Sequence, residues 1–552
     1  MTRPQTDSQT DGAAWPTLSG MAALAAAALG ADEDAWLVGG AVRDALLGQS
    51  AGDFDLAVRG DAGRFATTLA AELGAAVFAY SERFSTYRIV GGAGRHVDVA
   101  PLRGATIADD LRARDFTVNA MALDVRGAWP AAGELGTPPL ASAVDASPAA
   151  ASAAIAEPPA VLIDPLGGWA DLRAARLRLC ASAALTDDPV RVLRLARFAC
   201  GLALTPEPGL EQAGRAAAGG LSSVSGERLE RELSALLALP QCVPALRMLD
   251  ACGGLAAVLP ELTALKDVTQ NHFHHLDVFA HTLEALEYLP GIVAQLDGDA
   301  WLTSPADLGM PNMAPLVPLA YAVLLHDLGK PAAKRVDDDG RVMFLRHDEI
   351  GVNLAADICR RLKVSRRFEQ FVTLLVRQHL RLGFLVREQP LTQRALAHYR
   401  RDVEPYVFES VVLSLADRMA TRGEKTSPVS IARHFRLARD VWGEIAKEAP
   451  TPLLSGAEVM RLLGIGQGQE VGEALTAVHE EVEAGELHSK NEAQAWLRSW
   501  WEGRQAASPA AAGDADAPPA AEDAASPPAS PSADAPISPS ADELSASPPV
   551  DA

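Results

Sequence analysis

The pattern of hydrophobic and polar positions changes period several times along the chain. Between residues 17 and 130, short runs of branched and aromatic side chains (Trp36–Val38, Asp53–Val58, Tyr87–Val90, His96–Ala100) alternate with Ala- and Leu-rich helical stretches. This predicts a small sheet packed against helices. From Asp187 to about residue 265, apolar side chains recur every three or four positions, as in helices with one buried face. The stretch 266–450 keeps that period and holds most of the twelve histidines. Residues 451–504 read as a short helical close, with Gly464-Ile465-Gly466-Gln467-Gly468 as a turn. Two segments have no period. Residues 131–160 are an Ala/Pro/Ser-rich insertion, and 505–552 lack the large apolar side chains needed to order a chain. The predicted fold class is α+β, with a head of small mixed sheet and helices followed by all-helical domains. Expected units are a disordered leader (1–16), the head (17–185), a helical neck (186–265), the histidine-rich domain (266–450), a C-terminal helical region (451–504) and a disordered tail (505–552).

Composition narrows the class. At 552 residues, 48% apolar and 22% charged, the chain has room for several cores. Its five cysteines (Cys180, Cys200, Cys242, Cys252, Cys359) form no C-x-x-C pair, which fits reduced thiols better than a disulfide framework or zinc finger. The opening MTRPQTDSQTDGAAWP lacks the order of a signal peptide, and the run Met21–Leu29 is too short to span a bilayer. A cytoplasmic protein without a membrane partner is expected. The net charge of −22 disfavours a general nucleic-acid binder, yet the tail contributes eight acidic residues and no Lys or Arg. Arginines cluster in Arg173–Arg197 and Arg360–Arg401, so a local basic track can still engage phosphates.

The first chemical signal is WLVGGAVRDALLGQSAGDFDLAV (Trp36–Val58). A strand runs into Gly39-Gly40, and a helix follows. Such glycines let backbone N–H groups approach a triphosphate at a helix N-terminus, with Arg43 one turn further on. Asp53 and Asp55, two apart on the next strand, point the same way, while Phe54 faces the core. Two convergent carboxylates suit Mg²⁺ ions that hold a triphosphate and activate a hydroxyl. A third, Asp98 in Val97-Asp98-Val99, either joins them or faces solvent.

Together, in this order and spacing, these residues resemble the nucleotidyltransferase superfamily, and within it the class II tRNA CCA-adding and bacterial poly(A) polymerase family. The resemblance runs from about 34 to 504, without the insertion and tail. It implies that Asp53 and Asp55 are the catalytic, Mg²⁺-binding pair and that Gly39, Gly40 and Arg43 bind nucleotide. DLRARDFTVNAMALD (Asp110–Asp124) is similar to the family's R-R-D-F-T-x-N-A motif, which contacts the sugar. Arg114 and Asp115 carry over, whereas Ala113 replaces the motif's first Arg. Asp164-Pro165, Gly168, Asp171 and Leu172 match the hinge between head and neck, and Glu227, Arg228 and Glu232 match a motif that braces the neck.

In TDDPVRVLRLARFA (Thr186–Ala199), Pro189 suits the first position of a helix capped by Asp188. Arg191, Arg194 and Arg197 then form one basic stripe, for which a solvated face is the alternative reading when the segment stands alone. The family's E-D-x-x-R motif implies that Asp188 and Arg191 serve as a protein template for the incoming base, with Asp187 replacing the Glu. The chemistry agrees, because a carboxylate beside a guanidinium satisfies the edge of cytosine or adenine. Uracil and guanine would leave polar groups unpaired, at roughly 1–3 kcal/mol each. Arg194 and Arg197 are expected to contact phosphates. After HVDVAPLR (His96–Arg103), only Gly104-Ala105-Thr106-Ile107 precede the helix expected at Ala108–Arg114. Full CCA-adding relatives generally carry a flexible loop here, so its absence implies CC-addition, with a separate enzyme adding the terminal A.

The second constellation comprises His281, His326-Asp327 in LLHDLGK, His347, His379 and Asp417. Adjacent His and Asp joined by a remote His and a remote Asp make a mixed N/O metal site. The set resembles the HD phosphohydrolase superfamily. It implies that His281, His326, Asp327 and Asp417 bind one divalent transition metal (Mn²⁺, Ni²⁺ or Fe²⁺), with His347 and His379 supporting a second. The alternative is a retained helical scaffold. The expected function is thus template-independent addition of CMP (CC, or full CCA) to the 3′ end of tRNA, from CTP and ATP. A metal-assisted phosphoesterase would accompany it, acting for example on 2′,3′-cyclic phosphates. The tRNA is expected along the neck and the arginines of 360–401. Rival readings are a bacterial poly(A) polymerase, an HD phosphohydrolase with a regulatory nucleotide-binding head, and an RNA chaperone needing neither metal site.

Overall fold

The computed structural model describes residues 15–507, apart from 51, 82–84, 93–94, 128–159, 297, 386–390 and 446–451. Nearly all of the leader, the insertion and the acidic tail expected above therefore lie outside the described residues. The head is built on a seven-stranded sheet: β1 (Asp34–Val38), β2 (Phe54–Arg59), β3 (Ala76–Ser81), β4 (Thr86–Val90), β5 (His96–Pro101), β6 (Ala122–Asp124) and β7 (Leu162–Ile163). Their spatial order is β3-β4-β5-β2-β1-β6-β7. β2 and β5 run parallel and the other neighbours antiparallel.

Alternation gives the sheet two different faces. Phe54, Leu56, Val58, Ile89, Val97 and Val99 are each at most 1% exposed and form the face covered by α1 (Leu18–Ala28), α2 (Gly40–Leu46) and α3 (Ala62–Glu72). The other face carries the intervening residues. It is capped at β1 by Leu111 of α4 (Ile107–Arg112), which packs with Trp36, Val38 and Ala57. α4 begins with a capping box, Thr106 and Asp109 each satisfying the other's backbone N–H. β3 is absent from the sequence reading. Its outer positions are Phe78 and Tyr80 rather than polar residues, so AVFAYS shows no alternation.

A buried Asp171 joins head to neck. It follows the start of α5 (Gly168–Arg173) and accepts hydrogen bonds from Thr117 (2.6 Å), Arg176 (2.7 Å) and Arg178 (2.9 Å). Asp164 caps the same helix through the N–H groups of Gly168 and Trp169. The neck contains α6 (Arg191–Gly201), α7 (Gly226–Leu237) and α8 (Cys242–Ala251). The next helices are α9 (Val278–Gln295), α10 (Val317–Leu325), α11 (His347–Arg361), α12 (Arg366–Gln378), α13 (Gln393–Val403), α14 (Val407–Met419) and α15 (Pro428–Ile445). Two small pairings interrupt the expected all-helical texture: β8 (Arg176–Leu177) with β9 (Thr205–Pro206), and the hairpin β10 (Lys334–Val336) with β11 (Val342–Phe344).

One apolar core runs from Met21 to Val441, and a second, from Leu454 to Leu497, belongs to the C-terminal helices including α16 (Gln469–Glu483) and α17 (Lys490–Ala507). Ion pairs attach the second to α13: Arg394 to Glu481 (2.8 Å) and Arg400 to Glu483 (3.3 Å). Arg361 pairs with Glu261 (2.8 Å) and Arg381 with Asp402 (2.7 Å). Several of the arginines expected to form a tRNA-facing track at 360–401 thus also have carboxylate partners within the chain. All five cysteines are free. Among the described residues, no helix is long and apolar enough to cross a membrane.

Candidate active sites

The first site lies on the open face of the head sheet, where it meets the neck. Asp55 pairs in register with Asp98 on the parallel neighbour, and both line a cleft shared with Arg103, Arg114, Asp115, Asp188, Arg191, Arg194 and Arg228. Asp98 is therefore a third carboxylate beside Asp55 rather than a stray surface acid. Arg88 clamps it from β4, donating Nε and Nη2 at 2.7 and 2.6 Å. Burial raises the pKa of Asp55, and the Asp98 charge reinforces that rise against the pull of Arg114. Two carboxylates that disfavour each other's charge suit a divalent cation, which relieves both.

Asp53 sits just before β2. Sequence reasoning missed its partner, His96, which donates its backbone N–H (2.9 Å) and stands with Nδ1 at 3.0 Å from the same oxygen. Burial opposes ionisation of Asp53, but these bonds outweigh it and hold the carboxyl below its usual range. His96 is correspondingly raised by its bond to Asp53. Its only sequence signal is its position opening the Val97-Asp98-Val99 strand.

Gly39 plays a different part from the one expected. Its N–H donates to Met121 O (3.3 Å), so it is not directed at a phosphate. Its φ is +78°, and a Cβ there would stand 3.1 Å from both Asp55 Oδ2 and Arg114 Nη1. The positive φ favours glycine, and a side chain here would crowd those two groups. Gly40 opens α2 beside the Arg43 guanidinium. Arg43 is buried, donating to Asn119 (2.5 Å) and Asp44 (2.6 Å) and lying over the Phe198 ring.

The arginine stripe of α6 is present, with each guanidinium committed. Arg191 donates to the carbonyls of Ala113 (3.0 Å), Ala184 (3.1 Å) and Arg114 (3.3 Å). Arg194 pairs with Asp115 (2.8 Å) and Arg197 with Glu232 (2.9 Å). The helix itself starts at Arg191, and the side chain of Asp188 does not cap it. Instead Asp188 accepts from Arg228 on α7 (2.7 and 3.0 Å), while Arg191 Nε stands 3.9 Å away. This pairing across the cleft was invisible in the sequence. For Asp115, burial opposes ionisation, but Arg194 and the Phe116 N–H hold the carboxyl below its ordinary pKa.

The second site is built by five helices around Asp327. His281 comes from α9, His326-Asp327 follow α10, His347 opens α11, His379 follows α12 and Asp417 lies on α14. Every imidazole is held the same way. Nδ1 of His326, His347 and His379 meets the carbonyl three residues earlier (Val323, 2.7 Å; Phe344, 2.8 Å; Val376, 2.7 Å), and Nδ1 of His281 meets Ala420 O (3.2 Å). These bonds place the proton on Nδ1 and leave each Nε2 a lone-pair donor, as metal-binding histidines require.

The Nε2 atoms converge on the two oxygens of Asp327. Oδ2 lies 3.1 Å from His326 and 3.7 Å from His281, whereas Oδ1 lies 3.4 Å from His347 and 3.8 Å from His379. Asp417 Oδ1 is 3.0 Å from His281. His326 Nε2 and both Asp327 oxygens are buried with no properly formed hydrogen bond. The Nε2 atoms of His347 and His379 face each other at 3.1 Å, an arrangement of two lone pairs that a cation between them would satisfy. The residues thus fit divalent metal in two half-sites sharing Asp327, His281/His326 on one side and His347/His379 on the other. Lys330 Nζ reaches Asp327 Oδ2 at 2.6 Å. Burial opposes the ionisation of Asp327, yet His326 and Lys330 hold its carboxyl well below the usual range; burial pushes His379 down to about 3. Gly329 makes the close approach possible, since a Cβ there would stand 1.9 Å from His347 O.

Comparison with known proteins joins these features. Residues 35–135 match the Poly A polymerase head domain, 203–266 the probable RNA and SrmB-binding site of polymerase A, and 278–422 the HD domain. The chain is 36% identical to the A-adding tRNA nucleotidyltransferase of Deinococcus radiodurans, over 84% of this chain and 95% of that one. It is 33% identical to the CC-adding tRNA nucleotidyltransferase of Thermus thermophilus, over 86% and 95%. A solved CCA-adding enzyme in complex with ATP shares the fold, with a TM-score of 0.56 and 19% identity over 87% of this chain and 94% of that one. The Thermotoga maritima CCA-adding enzyme complexed with tRNA gives 0.53 and 19% over 88% and 94%. With a cleft of facing aspartates and arginines at the head, an arginine-striped neck and a helical His/Asp centre in this order, the chain belongs to the tRNA nucleotidyltransferase and poly(A) polymerase family that carries an HD domain.

Proposed function

We propose that this enzyme extends the 3′ end of tRNA without a nucleic-acid template, adding CMP from CTP. The observation that carries this reading is the single cleft in which Asp55 and Asp98 face Asp188, Arg191 and Arg228. Catalytic carboxylates and a base-reading pair are within one nucleotide's reach there. Asp53 and Asp55 would hold Mg²⁺, whose charge would favour ionisation of the 3′-OH and departure of pyrophosphate. His96 fixes the orientation of Asp53. Asp188 accepts the amino group of cytosine or adenine once Arg228 releases it, and Arg191 is positioned beside it by three backbone carbonyls. Arg114 and Asp115 flank the sugar site.

CC-specificity is supported by the connection from β5 to α4, which consists of Leu102 to Thr106 alone. That leaves no loop long enough to re-aim the template from CTP to ATP. A second reading, addition of the terminal A, is favoured by the 36% identity to an A-adding relative. Incorporation of labelled CTP and ATP onto tRNAs ending at the discriminator base, at C and at CC separates the two. CTP addition that stops after two residues supports the first reading, and AMP addition to CC ends alone supports the second. Absence of transfer to any tRNA overturns both.

The HD centre supports a second activity, hydrolysis of phosphate esters. A transition metal such as Mn²⁺, Ni²⁺ or Fe²⁺, held by His281, His326, Asp327 and Asp417, would supply Lewis-acid chemistry to the phosphate ester. Lys330 and Arg418 line the adjoining pocket and would hold the phosphate.

A further inference from the structure

The open face of the head sheet extends beyond the carboxylates. Asp55 registers with Asp98, Asp98 with Arg88, and Arg88 with Phe78. By alternation all four project from one face, so a continuous row leads from the cleft to the edge strand β3. At the outer end of that row, Phe78 is 48% exposed, Tyr80 39% and Val90 41%. A row of large apolar side chains in solvent is the least expected content for an open sheet face. The Arg88 guanidinium stands over the Tyr80 ring, its carbon 3.9 Å from the ring centroid. Across the cleft, Arg231 of α7 approaches the same ring at 5.9 Å. Arg231 stands one turn from Arg228, which lines the nucleotide cleft, so α7 offers a basic wall beside an aromatic floor.

We infer that Phe78 and Tyr80 form a stacking platform for the unpaired 3′-terminal nucleotides of the RNA that is being extended. Three features select this occupant. Aromatic rings backed by guanidinium groups are the surface on which unpaired bases stack, whatever their identity. The flanking cation, Arg231, complements a phosphate backbone. The row ends at Asp55 and Asp98, where the 3′-OH has to arrive. The platform would hold the penultimate nucleotides at a fixed distance from the carboxylates while the incoming base is read on the opposite side by Asp188. The inference rests on the proposed polymerase reading for its occupant and adds a site to it.

The test uses the full chain and a tRNA carrying 2-aminopurine as its last unpaired nucleotide. Stacking changes the emission of that base on binding. Wild-type protein is expected to give the change, and the F78A/Y80A variant to lose it and to bind the tRNA ~10-fold more weakly, in the range for removing base–aromatic stacking. Tyr80→Phe should retain it, and KM for CTP should not move. Both side chains are surface-exposed, so an unchanged melting temperature accompanies the expected result. Equal emission change and equal affinity in F78A/Y80A would overturn the platform. That outcome is distinct from failure of the polymerase reading, which would appear as no CTP or ATP incorporation by the wild-type chain.

Discussion

The head cleft and the HD centre both gather carboxylates in readiness for metal, yet they solve the problem of charge in opposite ways. In the head, Asp55 and Asp98 line the open cleft and Asp53 lies just before the same strand, and their charge is balanced by cationic side chains: His96 on Asp53, Arg88 on Asp98, Arg114 near Asp55. In the HD centre, one buried carboxylate takes the approach of four imidazoles that are each pinned by a backbone carbonyl. The first arrangement can rearrange when a triphosphate brings its own charge and metal. The second is fixed before any metal arrives. The comparison teaches that preorganisation here lies in the tautomer and direction of each histidine, whereas the head relies on exchange among ion pairs.

Substitutions can break this contrast. The largest effect is expected from Asp55→Asn, which should lower nucleotide incorporation by about 10³-fold or more, because several kcal/mol of metal-dependent stabilisation are lost. Phosphoesterase activity of the same variant should be intact, and a parallel loss would refute the separation of the sites. Next, Asp327→Asn removes the one group shared by both half-sites. Metal content after dialysis should fall for both together, with affinity reduced by more than roughly 100-fold, beyond the cost of altering an outer-shell partner. Retention of one tightly held ion would show that the half-sites are independent.

A smaller effect tests the head–neck junction. Asp115→Asn leaves Arg194 with only the more distant Glu232 (3.9 Å) and should cost about 2 kcal/mol, reduced from a fully buried pair because Arg194 is one-third exposed. The Asp115 pKa is lower in the fold than in the open chain, so its contribution is complete above pH about 4 and is lost as pH falls further. Thermal melts of wild type and variant should therefore converge in acid, and a constant gap would contradict the pairing. Smallest of all, Arg228→Ala should change KM for CTP only few-fold, since it holds Asp188 in reserve rather than reading the base. Loss of base selectivity in that variant would instead make Arg228 part of the template.

Much of this was legible in the residues, and the reason differs by region. Gly39-Gly40, Asp53-x-Asp55 and His326-Asp327 lie close together in the chain, so backbone geometry alone brings them into one place. Partners distant in sequence were lost: Arg228 with Asp188, His96 with Asp53, and the carboxylates that neutralise Arg361, Arg381, Arg394 and Arg400. Charge clusters read from sequence record where cations are, not whether the fold has already matched them. Strand β3 was missed for a related reason, because its outward residues are those proposed to meet RNA. A functional surface there erases the pattern that marks a strand.

Gly329 has a consequence for metrology. With the carbonyl of His347 lying where a side chain would begin, two backbones touch directly, and no rotamer is interposed to act as a cushion. The separation between the Asp327 turn and the first residue of α11 is then set by atomic radii alone. Distance between the two half-sites becomes a gauge machined into the main chain. A methyl group at this position would act like a shim, widening the gap by a fixed increment that no neighbouring side chain could absorb.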